Sequence, residues 1–437
     1  METSMKVAIV GSGGREHALT FLIAKSKSVE KVYLLGGSDA ISKTLKTHNV
    51  DQETLQDCEN YSDFAQKCVD EMIDLVIVGP EQPLAEGITD ILERKGIKVF
   101  GPSQKASKLE SSKLFAKSVM AKAEIPTGKY KSFSKGDNGY SDYISSIESP
   151  IVIKADGLAA GKGVIITSDK EKAIRTVESL LNGDLGKAGE SLLIEEYLEG
   201  VEVSVFAVCD GKDFMILPAA TDHKRIGDGD TGDNTGGMGA FAPTPYLSDN
   251  DYLRIGEEIV TPLLQQMSQN GTPFVGCLFS GLIKTKTGIK VIEFNVRFGD
   301  PEIQAVAQLI EGGFAEFLMS AAKGKIDRSL VSISQNKYAC NVVLASGGYP
   351  KSYKKGLEIS GLETAEGLKN LSVFHAGTLK TENGWKTNGG RVLSIVGIGE
   401  NPKDSVDYAY SAINHIHFDG KYFRRDIASA ILNIINY

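Results

Sequence analysis

Short apolar runs that stop at a glycine recur along the first part of the chain, and stretches with helical spacing separate them. The runs are Lys6–Val10, Val32–Leu35, Leu75–Val78 and Lys98–Phe100. Between the first two, the apolar residues Ala18, Leu19, Leu22 and Ile23 repeat at the spacing of one helix face. Strands and helices that alternate in this way are typical of a parallel sheet with helices on both faces. The pattern therefore predicts an α/β fold.

The middle of the chain contains longer elements around one glycine-rich stretch. The predicted elements are helix Ser111–Lys122, strands Ile151–Lys154 and Val164–Thr167, helix Glu171–Leu181, and strands Leu192–Tyr197 and Val201–Cys209. Thr221–Gly239 has no apolar periodicity and is too long for an ordinary connection, so we expect a functional loop there. Gly281–Lys284 and Lys290–Asn295 predict a hairpin that turns at Thr287 and Gly288.

The last part of the chain predicts a small terminal domain. Pro301–Lys323 has a helical pattern, and the polar stretch Gly324–Lys337 is typical of a linker. Strands follow at Ala339–Ala345, Val373–Thr378 and Arg391–Gly397, with weaker helices and dense turns. We therefore expect this domain to be rich in strands.

Composition narrows the class of protein. The chain has 437 residues, which at roughly 150 residues per domain suggests about three domains. The 48 basic and 56 acidic residues give a net charge of −8, which disfavours nucleic acid and anionic membranes as partners. The five cysteines are scattered without a CxxC spacing, no signal peptide precedes the first strand, and no apolar run could span a membrane. We therefore predict a cytoplasmic protein.

The first candidate site is the turn Gly11-Ser12-Gly13-Gly14-Arg15-Glu16. A glycine-rich turn between a strand and a helix lets backbone N–H groups approach a phosphate. A dinucleotide site of the GxGxxG type would need glycine at position 16, where this chain has Glu16. No acidic residue closes the second strand, since Gly36 follows it. The turn disfavours NAD, while a simpler phosphate site and a purely structural turn both remain open.

The second candidate is the turn from Asp156 to Gly163, which two lysines flank. Lys154 lies on an otherwise apolar strand, and a buried ammonium needs an anionic partner. The spacing of Gly157 and Gly161, with Lys162, does not match a Walker A loop. A flexible flap that closes over a triphosphate fits these residues, and a solvated hairpin is the plainer alternative.

The third candidate is the strand that contains Glu293, Asn295 and Arg297. Alternation puts these three side chains on one face and apolar residues on the other. A carboxylate and a carboxamide oxygen suit Mg²⁺, and a guanidinium can clamp phosphate oxygens. An edge strand with a local ion pair remains the alternative for this segment alone.

Taken together, nine strings in the chain resemble the ATP-grasp ligases and, within them, the glycinamide ribonucleotide synthetase family. The strings are GSGGREHA, IVGPEQPLAEG, FGPSQKASKLESSK, PIVIKADGLAAGKGV, IEEYLEGVEVS, DHKRIGDGDTGDNTGGMGA, VIEFNVRFGDPE, VFHAGT and TNGGRV. They occur in the family's order over nearly the whole chain. The resemblance implies ATP-dependent ligation of glycine to 5-phosphoribosylamine through glycyl phosphate, with release of ADP and phosphate, in purine synthesis.

The resemblance also implies an architecture. It is a Rossmann-like N-terminal domain at 1–104, an ATP-grasp core at 105–328 with a small mobile lobe near 125–198, and a mixed α/β C-terminal domain at 329–437. The small molecules glycine, 5-phosphoribosylamine and ATP are the implied partners, with Mg²⁺ or Mn²⁺, and no partner protein is indicated.

Site residues are carried over by the same resemblance. Those implied to bind ATP are Lys113, Lys154, Gly157, Gly161, Lys162, Gly163, Glu195, Glu196, Tyr197, Leu198 and Glu202. Those implied to bind the other substrates are Gly11, Gly13, Gly14, Arg15, Asp222, His223, Lys224, Gly236, Gly237, Arg297, Asp300 and Arg391. Glu293 and Asn295 are implied metal ligands, and Arg297, Lys154 and Lys162 are implied catalytic residues.

Two departures and two rival functions accompany this interpretation. Gly36-Gly37-Ser38 replaces the family's usual Pro-Gly-Asn, and Asp233 replaces a loop proline, so we expect a looser loop there. A Rossmann dehydrogenase is disfavoured by Glu16. A nucleotide sensor without activity is disfavoured by the face of Glu293, Asn295 and Arg297, since sensing needs no phosphoryl-transfer clamp.

Overall fold

The computed structural model describes residues 4–48, 50–54, 58–157, 163–184 and 186–435. Its first sheet is the predicted parallel one, in the order β3-β2-β1-β4-β5. The elements are β1 (Met5–Val10), α1 (Gly14–Ile23), β2 (Val29–Leu35), α2 (Asp39–Thr47), β3 (Asp51–Thr54), α3 (Tyr61–Asp70), β4 (Leu75–Val78), α4 (Glu81–Ala85), α5 (Ile88–Arg94) and β5 (Lys98–Phe100). The strand order reverses between β1 and β4, so Gly11 and Gly79 meet where such sheets bind ligands.

A second, antiparallel sheet forms a small lobe with its own core. The elements are α6 (Lys108–Ser111), α7 (Lys113–Lys122), β6 (Tyr130–Ser134), α8 (Tyr140–Ser146), β7 (Ile151–Ala155), β8 (Val164–Thr167), α9 (Lys170–Leu181) and β9 (Ser191–Glu196). The strand order is β6-β9-β7-β8. Ile151 and Ile153 pack into the core beneath α8 and α9. Because strand residues alternate, Lys154 lies on the opposite face of β7.

The next segment builds a larger antiparallel sheet and the long loop. The elements are β10 (Val201–Asp210), β11 (Phe214–Ile216), β12 (Thr221–Asp222), β13 (Arg225–Gly227), β14 (Thr231–Asn234), β15 (Gly239–Ala242), α10 (Asp249–Ile255), α11 (Thr261–Gln269), β16 (Val275–Thr285), β17 (Gly288–Asn295), α12 (Glu302–Val306), β18 (Ile310–Gly312) and α13 (Phe314–Ala322). The sheet order is β11-β10-β16-β17. The expected irregular loop Thr221–Gly239 instead contains the hairpin β13–β14 between two further strands.

Two predictions for the following segment are wrong. The helix expected over Pro301–Lys323 is divided into α12 and α13 by β18. Gly312 interrupts it with a φ of +100°, and a Cβ there would lie 2.5 Å from the carbonyl oxygen of Leu330. The expected linker Gly324–Lys337 contains β19 (Val331–Ile333), which pairs with β18. Local sequence pattern did not reveal this pairing because it joins two short segments from either side of a helix.

The C-terminal domain is mixed α/β, as the resemblance implied. Its elements are β20 (Tyr338–Ala345), β21 (Glu358–Ile359), α14 (Leu362–Glu366), β22 (Leu371–His375), β23 (Thr378–Thr381), β24 (Gly384–Thr387), β25 (Arg391–Gly399), α15 (Pro402–Ile413) and α16 (Ser429–Ile435). The main sheet has the order β12-β15-β20-β25-β22, so β12 and β15, at the two ends of the long loop, extend the C-terminal sheet. The long loop is thereby fixed against the last domain.

Candidate active site

Two buried lysines share one carboxylate at the face of the small lobe. The Nζ atom of Lys154 on β7 lies 3.0 Å from Oε2 of Glu195 and donates to the carbonyl oxygen of Ile292 at 3.1 Å. The Nζ atom of Lys117 on α7 lies 3.3 Å from Oε1 of Glu195 and donates to Thr127 Oγ1 at 2.8 Å. Lys154 therefore has the anionic partner that its strand required, and in this structure that partner is a carboxylate.

Glu293 on β17 lies among several cations. Burial alone would raise the pKa of Glu293, but the charges of Lys224, Lys154 and Lys113 outweigh it and lower that pKa. Within the described part of the chain, nothing forms a hydrogen bond or ion pair with this carboxylate. Gly281 on the neighbouring strand leaves room for it, since a Cβ there would lie 3.3 Å from Glu293 Cγ. Glu293 is an ionised oxygen donor without a direct partner.

Arg297 is held by two carboxylates that the sequence interpretation did not select. Its Nε atom lies 3.2 Å from Glu81 Oε2, and its Nη2 atom lies 3.1 Å from Glu110 Oε1. The same Nη2 atom lies 3.5 Å from Asn295 Oδ1. Burial opposes the charged guanidinium, but the nearby carboxylates raise the pKa of Arg297. Glu81 and Glu110 fall within two of the quoted strings, and that position was the signal that could have identified them.

The oxygen donors of this strand fit Mg²⁺ that is shared with a nucleotide. Among the described residues, no group of three or more His, Cys, Asp or Glu side chains could hold a metal by itself. Mg²⁺ commonly binds through one or two carboxylates while waters and substrate phosphates complete its shell. Glu293, ionised and without a direct partner, and the amide oxygen of Asn295 match that limited protein share.

Hydrogen bonds fix both ends of the predicted flap, and those at its first end come from α7. Lys113 donates from Nζ to the carbonyl oxygen of Gly157 at 3.3 Å. The carboxylate of Asp156 accepts from the backbone N–H of Leu114 at 3.1 Å. On the other side of the flap, Gly163 accepts a hydrogen bond from the N–H of Ala155 at 2.8 Å. The predicted residues Gly161 and Lys162 lie outside the described residues.

A cleft of about 760 Å³ adjoins the segment expected to hold adenine. Its lining comes from Glu196–Gly200 and from the β16–β17 hairpin around Lys284–Thr287. Glu196 accepts from the N–H of Lys129 at 2.9 Å, and Tyr197 is 45% exposed. Glu202, expected at the ribose, pairs with Lys224 at 2.8 Å. The structure thus brings Lys224 of the long loop against a residue that the resemblance implied to bind the nucleotide.

The glycine turn after β1 is filled by the side chain of Glu16. Gly13 donates from its N–H to Glu16 Oε2 at 2.7 Å, and Arg15 donates from Nε to Glu16 Oε1 at 2.6 Å. A Cβ at Gly79 would lie 2.1 Å from Oε1 of the same carboxylate. Where a dinucleotide site would offer free N–H groups to a pyrophosphate, this turn already holds an anion of its own.

Asp300 joins parts of all three regions of the chain. The Nη1 atom of Arg391 lies 3.2 Å from Asp300 Oδ1 and donates to the carbonyl oxygen of Gly236 at 2.6 Å. A Cβ built on Gly13 or Gly14 would lie 3.9 Å from an oxygen of the Asp300 carboxylate. Burial opposes ionisation, but Arg391 and Arg15 lower the pKa of Asp300. The predicted substrate residues Gly13, Gly14, Gly236, Asp300 and Arg391 therefore form one cluster.

The long loop contributes two polar atoms that lack partners. Oδ1 of Asp222 and Nδ1 of His223 are buried, and neither has a hydrogen-bond partner among the described residues. Burial and the nearby Glu302 raise the pKa of Asp222 well above its usual value. Burial and Arg424 lower the pKa of His223 to about 4, so this histidine is neutral at pH 7.

A segment near the C-terminus holds the β13–β14 hairpin in place. The guanidinium of Arg424 is 1% exposed and pairs with Asp230 and Asp426, both at 2.7 Å. It also donates to the carbonyl oxygen of Arg225 at 3.1 Å, while Tyr422 donates from its hydroxyl to Ile226 at 2.8 Å. No sequence motif pointed to Arg424, because its partners in the hairpin, Arg225 and Asp230, lie about two hundred positions away.

Comparison with known proteins assigns the family. The N, ATP-grasp and C domains described for phosphoribosylglycinamide synthetase match residues 5–110, 111–303 and 339–430. A phosphoribosylamine–glycine ligase of Caldanaerobacter subterraneus is 41% identical over 426 residues, which cover 97% of this chain and 100% of the relative. The chain belongs to the phosphoribosylglycinamide synthetase family. It is an ATP-grasp ligase with the three domains of that family.

Other relatives show how widely this family architecture occurs. The trifunctional purine biosynthetic protein adenosine-3 of Gallus gallus is 43% identical over 97% of this chain, which spans 42% of that longer protein. The crystal structure of phosphoribosylamine–glycine ligase from Thermotoga maritima superposes with a TM-score of 0.83 at 32% identity, covering 97% of this chain and 100% of that chain. A biotin carboxylase domain of Hydrogenobacter thermophilus, solved with MgADP, shares the fold with a TM-score of 0.72 at 17% identity, over 96% of this chain and 92% of that chain.

Proposed function

We propose that the chain joins glycine to 5-phosphoribosylamine through a glycyl phosphate intermediate, with cleavage of ATP to ADP and phosphate. ATP-dependent synthesis of glycinamide ribonucleotide, a step of de novo purine biosynthesis, is the activity of the family to which the chain belongs. The observation that carries the intermediate is Glu293, an ionised carboxylate among Lys113, Lys154 and Lys224. Phosphoryl transfer depends mostly on positioning and on neutralising charge.

The nucleotide is assigned to the cleft between the small lobe and β17. Lys113, Lys154 and the flap Gly157–Gly163, with Gly161 and Lys162, contact the phosphates. The backbone of Glu195, Glu196, Tyr197 and Leu198 holds adenine, and Glu202 holds the ribose. Glu293 and Asn295 would hold Mg²⁺ or Mn²⁺, which would supply positive charge near the phosphate oxygens. Arg297 faces the transferred phosphoryl group or the glycine carboxylate.

Phosphoribosylamine is assigned to the cluster around Asp300. The residues proposed to contact it are Gly11, Gly13, Gly14, Arg15, Asp222, His223, Lys224, Gly236, Gly237, Asp300 and Arg391. Support comes from their convergence, since Arg391 of the last domain contacts both Asp300 and Gly236. An anionic sugar phosphate would be neutralised there by arginines, whose planar forks suit phosphate oxygens.

The spent nucleotide tests this mechanism. We expect phosphorus NMR to detect ADP and inorganic phosphate in step with product when glycine and phosphoribosylamine are both supplied. AMP and pyrophosphate would contradict γ-phosphoryl transfer. ATP with Mg²⁺ should also raise the melting temperature, whereas NAD should not, because Glu16 occupies the glycine turn.

We also propose a cellular location and domain bounds for the chain. We place the protein in the cytoplasm, which the free thiols of its five cysteines support. Within the described residues no helix has the length and apolar character needed to cross a bilayer. The proposed domains comprise residues 1–104, 105–328 and 329–437, and the proposed partners are small molecules.

A further inference from the structure

One carboxyl oxygen of the long loop is buried without a partner. Oδ1 of Asp222, on β12, has no hydrogen-bond partner in the described part of the chain. Gly237 lies directly against it, and a Cβ there would lie 3.0 Å from Oδ1 and 2.2 Å from Pro301 Cδ. The φ of Gly237 is +107°, which side-chain-bearing residues rarely adopt. The close packing therefore preserves the position of an oxygen that the protein itself does not use.

The same carboxyl lies between the two clusters of the site. The charges that act on it come from Glu302 on α12, from Lys224 two residues along the loop and from Arg391 on β25. Lys224 pairs with Glu202 on the nucleotide side, whereas Arg391 pairs with Asp300 on the other. Asp222 is thus within electrostatic reach of both clusters, and the junction between them is where an activated glycine and a sugar amine would meet.

Amide formation at that junction needs a proton acceptor. We propose that Asp222 is the general base that takes the proton from the attacking amine of the second substrate, which rests on the proposed function. The amine nitrogen forms its bond to the acyl carbon and loses one proton to Oδ1. The bond between that carbon and the phosphate oxygen breaks, and phosphate leaves with the electron pair.

Neighbouring groups are less suited to this step. His223 also has an unpartnered ring nitrogen, but burial and Arg424 lower its pKa to about 4, which makes it a weak base. The carboxylate of Glu302 already accepts a hydrogen bond from Ser204 at 3.0 Å. Burial and the nearby Glu302 raise the pKa of Asp222, so its ionised form is a stronger base than an ordinary aspartate.

The test separates glycine activation from amide formation. Hydroxylamine, a strong nucleophile at neutral pH, traps an acyl phosphate as a hydroxamate and does not depend on a protein base. The full-length protein and its Asp222→Asn variant are compared in two assays: hydroxamate formation from glycine and ATP, and ligation with phosphoribosylamine. Asp233→Asn is the matched control, since Asp233 lies in the same loop, is 53% exposed and pairs only with the exposed Lys351 among described residues.

We expect Asp222→Asn to lower kcat for ligation at least about a hundredfold. Hydroxamate formation should stay within about threefold of the unmodified protein, and Asp233→Asn should change neither rate. A loss of ligation smaller than tenfold would overturn the assignment. Parallel losses in both assays by a folded variant would also overturn it, because they indicate a binding or structural role.

Failure of the underlying function has a different signature. If the unmodified protein ligates but yields no hydroxamate, glycyl phosphate is wrong and the role of Asp222 is wrong with it. Melting curves with and without ATP establish that each variant is folded. If Asp222→Asn does not fold, Asp222→Ser removes the carboxylate with a smaller side chain and is judged by the same two rates.

Discussion

Lys117 and Lys154 both pair with the carboxylate of Glu195, but their other contacts differ. Lys117 completes its contacts with Thr127, inside the packing of α7. Lys154 donates to the carbonyl oxygen of Ile292, and its charge lowers the pKa of Glu293, the proposed metal ligand. The two lysines are therefore a matched pair, of which we propose that Lys117 is structural and Lys154 binds the nucleotide.

We expect Lys154→Met to weaken ATP binding about ten- to a hundredfold, since a charge-assisted contact is worth roughly 1.5–3 kcal/mol. Lys117→Met should lower the melting temperature but change ATP affinity by less than about threefold. Isothermal titration with ATP and Mg²⁺ and a thermal melt measure both. Equal ATP affinity in the two variants would reduce Lys154 to a structural role.

Glu293 supports a second prediction at this scale. Glu293→Ala should abolish turnover, because it removes the ionised oxygen donor proposed to bind Mg²⁺. Steady-state rates over a series of Mg²⁺ concentrations provide the measurement, with Glu311→Ala as the control, an exposed carboxylate paired with Lys337. A folded variant that kept near-normal activity and an unchanged Mg²⁺ dependence would refute the ligand assignment.

At the scale of elements, the hairpin β13–β14 depends on a segment of the last domain. Arg424 donates to Arg225 at the start of the hairpin and to Asp230 in its turn, and the N–H of Gly229 donates to Asp426 at 2.8 Å. The N–H of Arg425 donates to Asp228 at 2.9 Å, although its exposed side chain is not involved. The hairpin precedes Gly236 and Gly237, so its position sets where these glycines lie. Asp233, expected to loosen the loop, lies on β14 and pairs with Lys351.

Arg424→Met should release this hairpin, because it removes the buried cation that holds Asp230 and Asp426. Since the Asp230 carboxylate is mostly exposed, water screens the charge left behind, and the expected cost is that of the lost charge-assisted hydrogen bonds, about 1.5–3 kcal/mol. We expect faster proteolysis within residues 226–234 and a rise of at least about tenfold in KM for phosphoribosylamine. The KM for ATP should change little. Arg425→Met, one residue away, is the control, and equal cleavage of both variants would contradict the clamp.

At the scale of the whole molecule, a pair of histidines joins the first and last domains. His17 on α1 accepts a hydrogen bond at Nδ1 from the N–H of His375 at 3.0 Å, and its Nε2 lies 2.7 Å from Thr44 Oγ1. The proton of the neutral ring is therefore on Nε2. Burial, followed by the charge of His375, lowers the pKa of His17 from 6.5 to about 3.

This interface should weaken in acid. Between pH 6.5 and pH 3 the unfolded chain binds a proton at position 17 that the folded chain does not, so stability falls as pH falls. From pH 7 to pH 5 the apparent free energy of unfolding should drop about 2 kcal/mol more in the unmodified protein than in His17→Gln. Glutamine does not titrate and can still donate to Thr44.

Urea unfolding at the two pH values measures this difference. His375 and His223 are present in both proteins, so the comparison reports on position 17. His415→Gln, at an exposed position, should behave like the unmodified protein. The same pH dependence in His17→Gln and the unmodified protein would show that the interface does not contribute through this histidine.

The sequence alone was sufficient for features that follow from local periodicity. Strands Leu75–Val78, Lys98–Phe100 and Val164–Thr167 have the predicted bounds. Alternation correctly placed Phe294 in the core, opposite Glu293, and Glu16, which stands at the third glycine position, accepts a hydrogen bond within the turn. Each of these depends on neighbours within a few residues. The family, likewise, was predicted from motifs in their order along the chain.

Tertiary structure decided which distant groups meet. That Lys154 pairs with Glu195, and Arg297 with Glu81 and Glu110, depends on how separate sheets pack, which no local pattern contains. The division of the helix expected over Pro301–Lys323 has the same origin, because β18 gains its hydrogen bonds from β19 beyond α13. The unpartnered oxygen of Asp222 is likewise a property of its surroundings. The chemical type of a side chain is fixed by the sequence at that position, whereas its burial, its charge state and its partners depend on the whole fold.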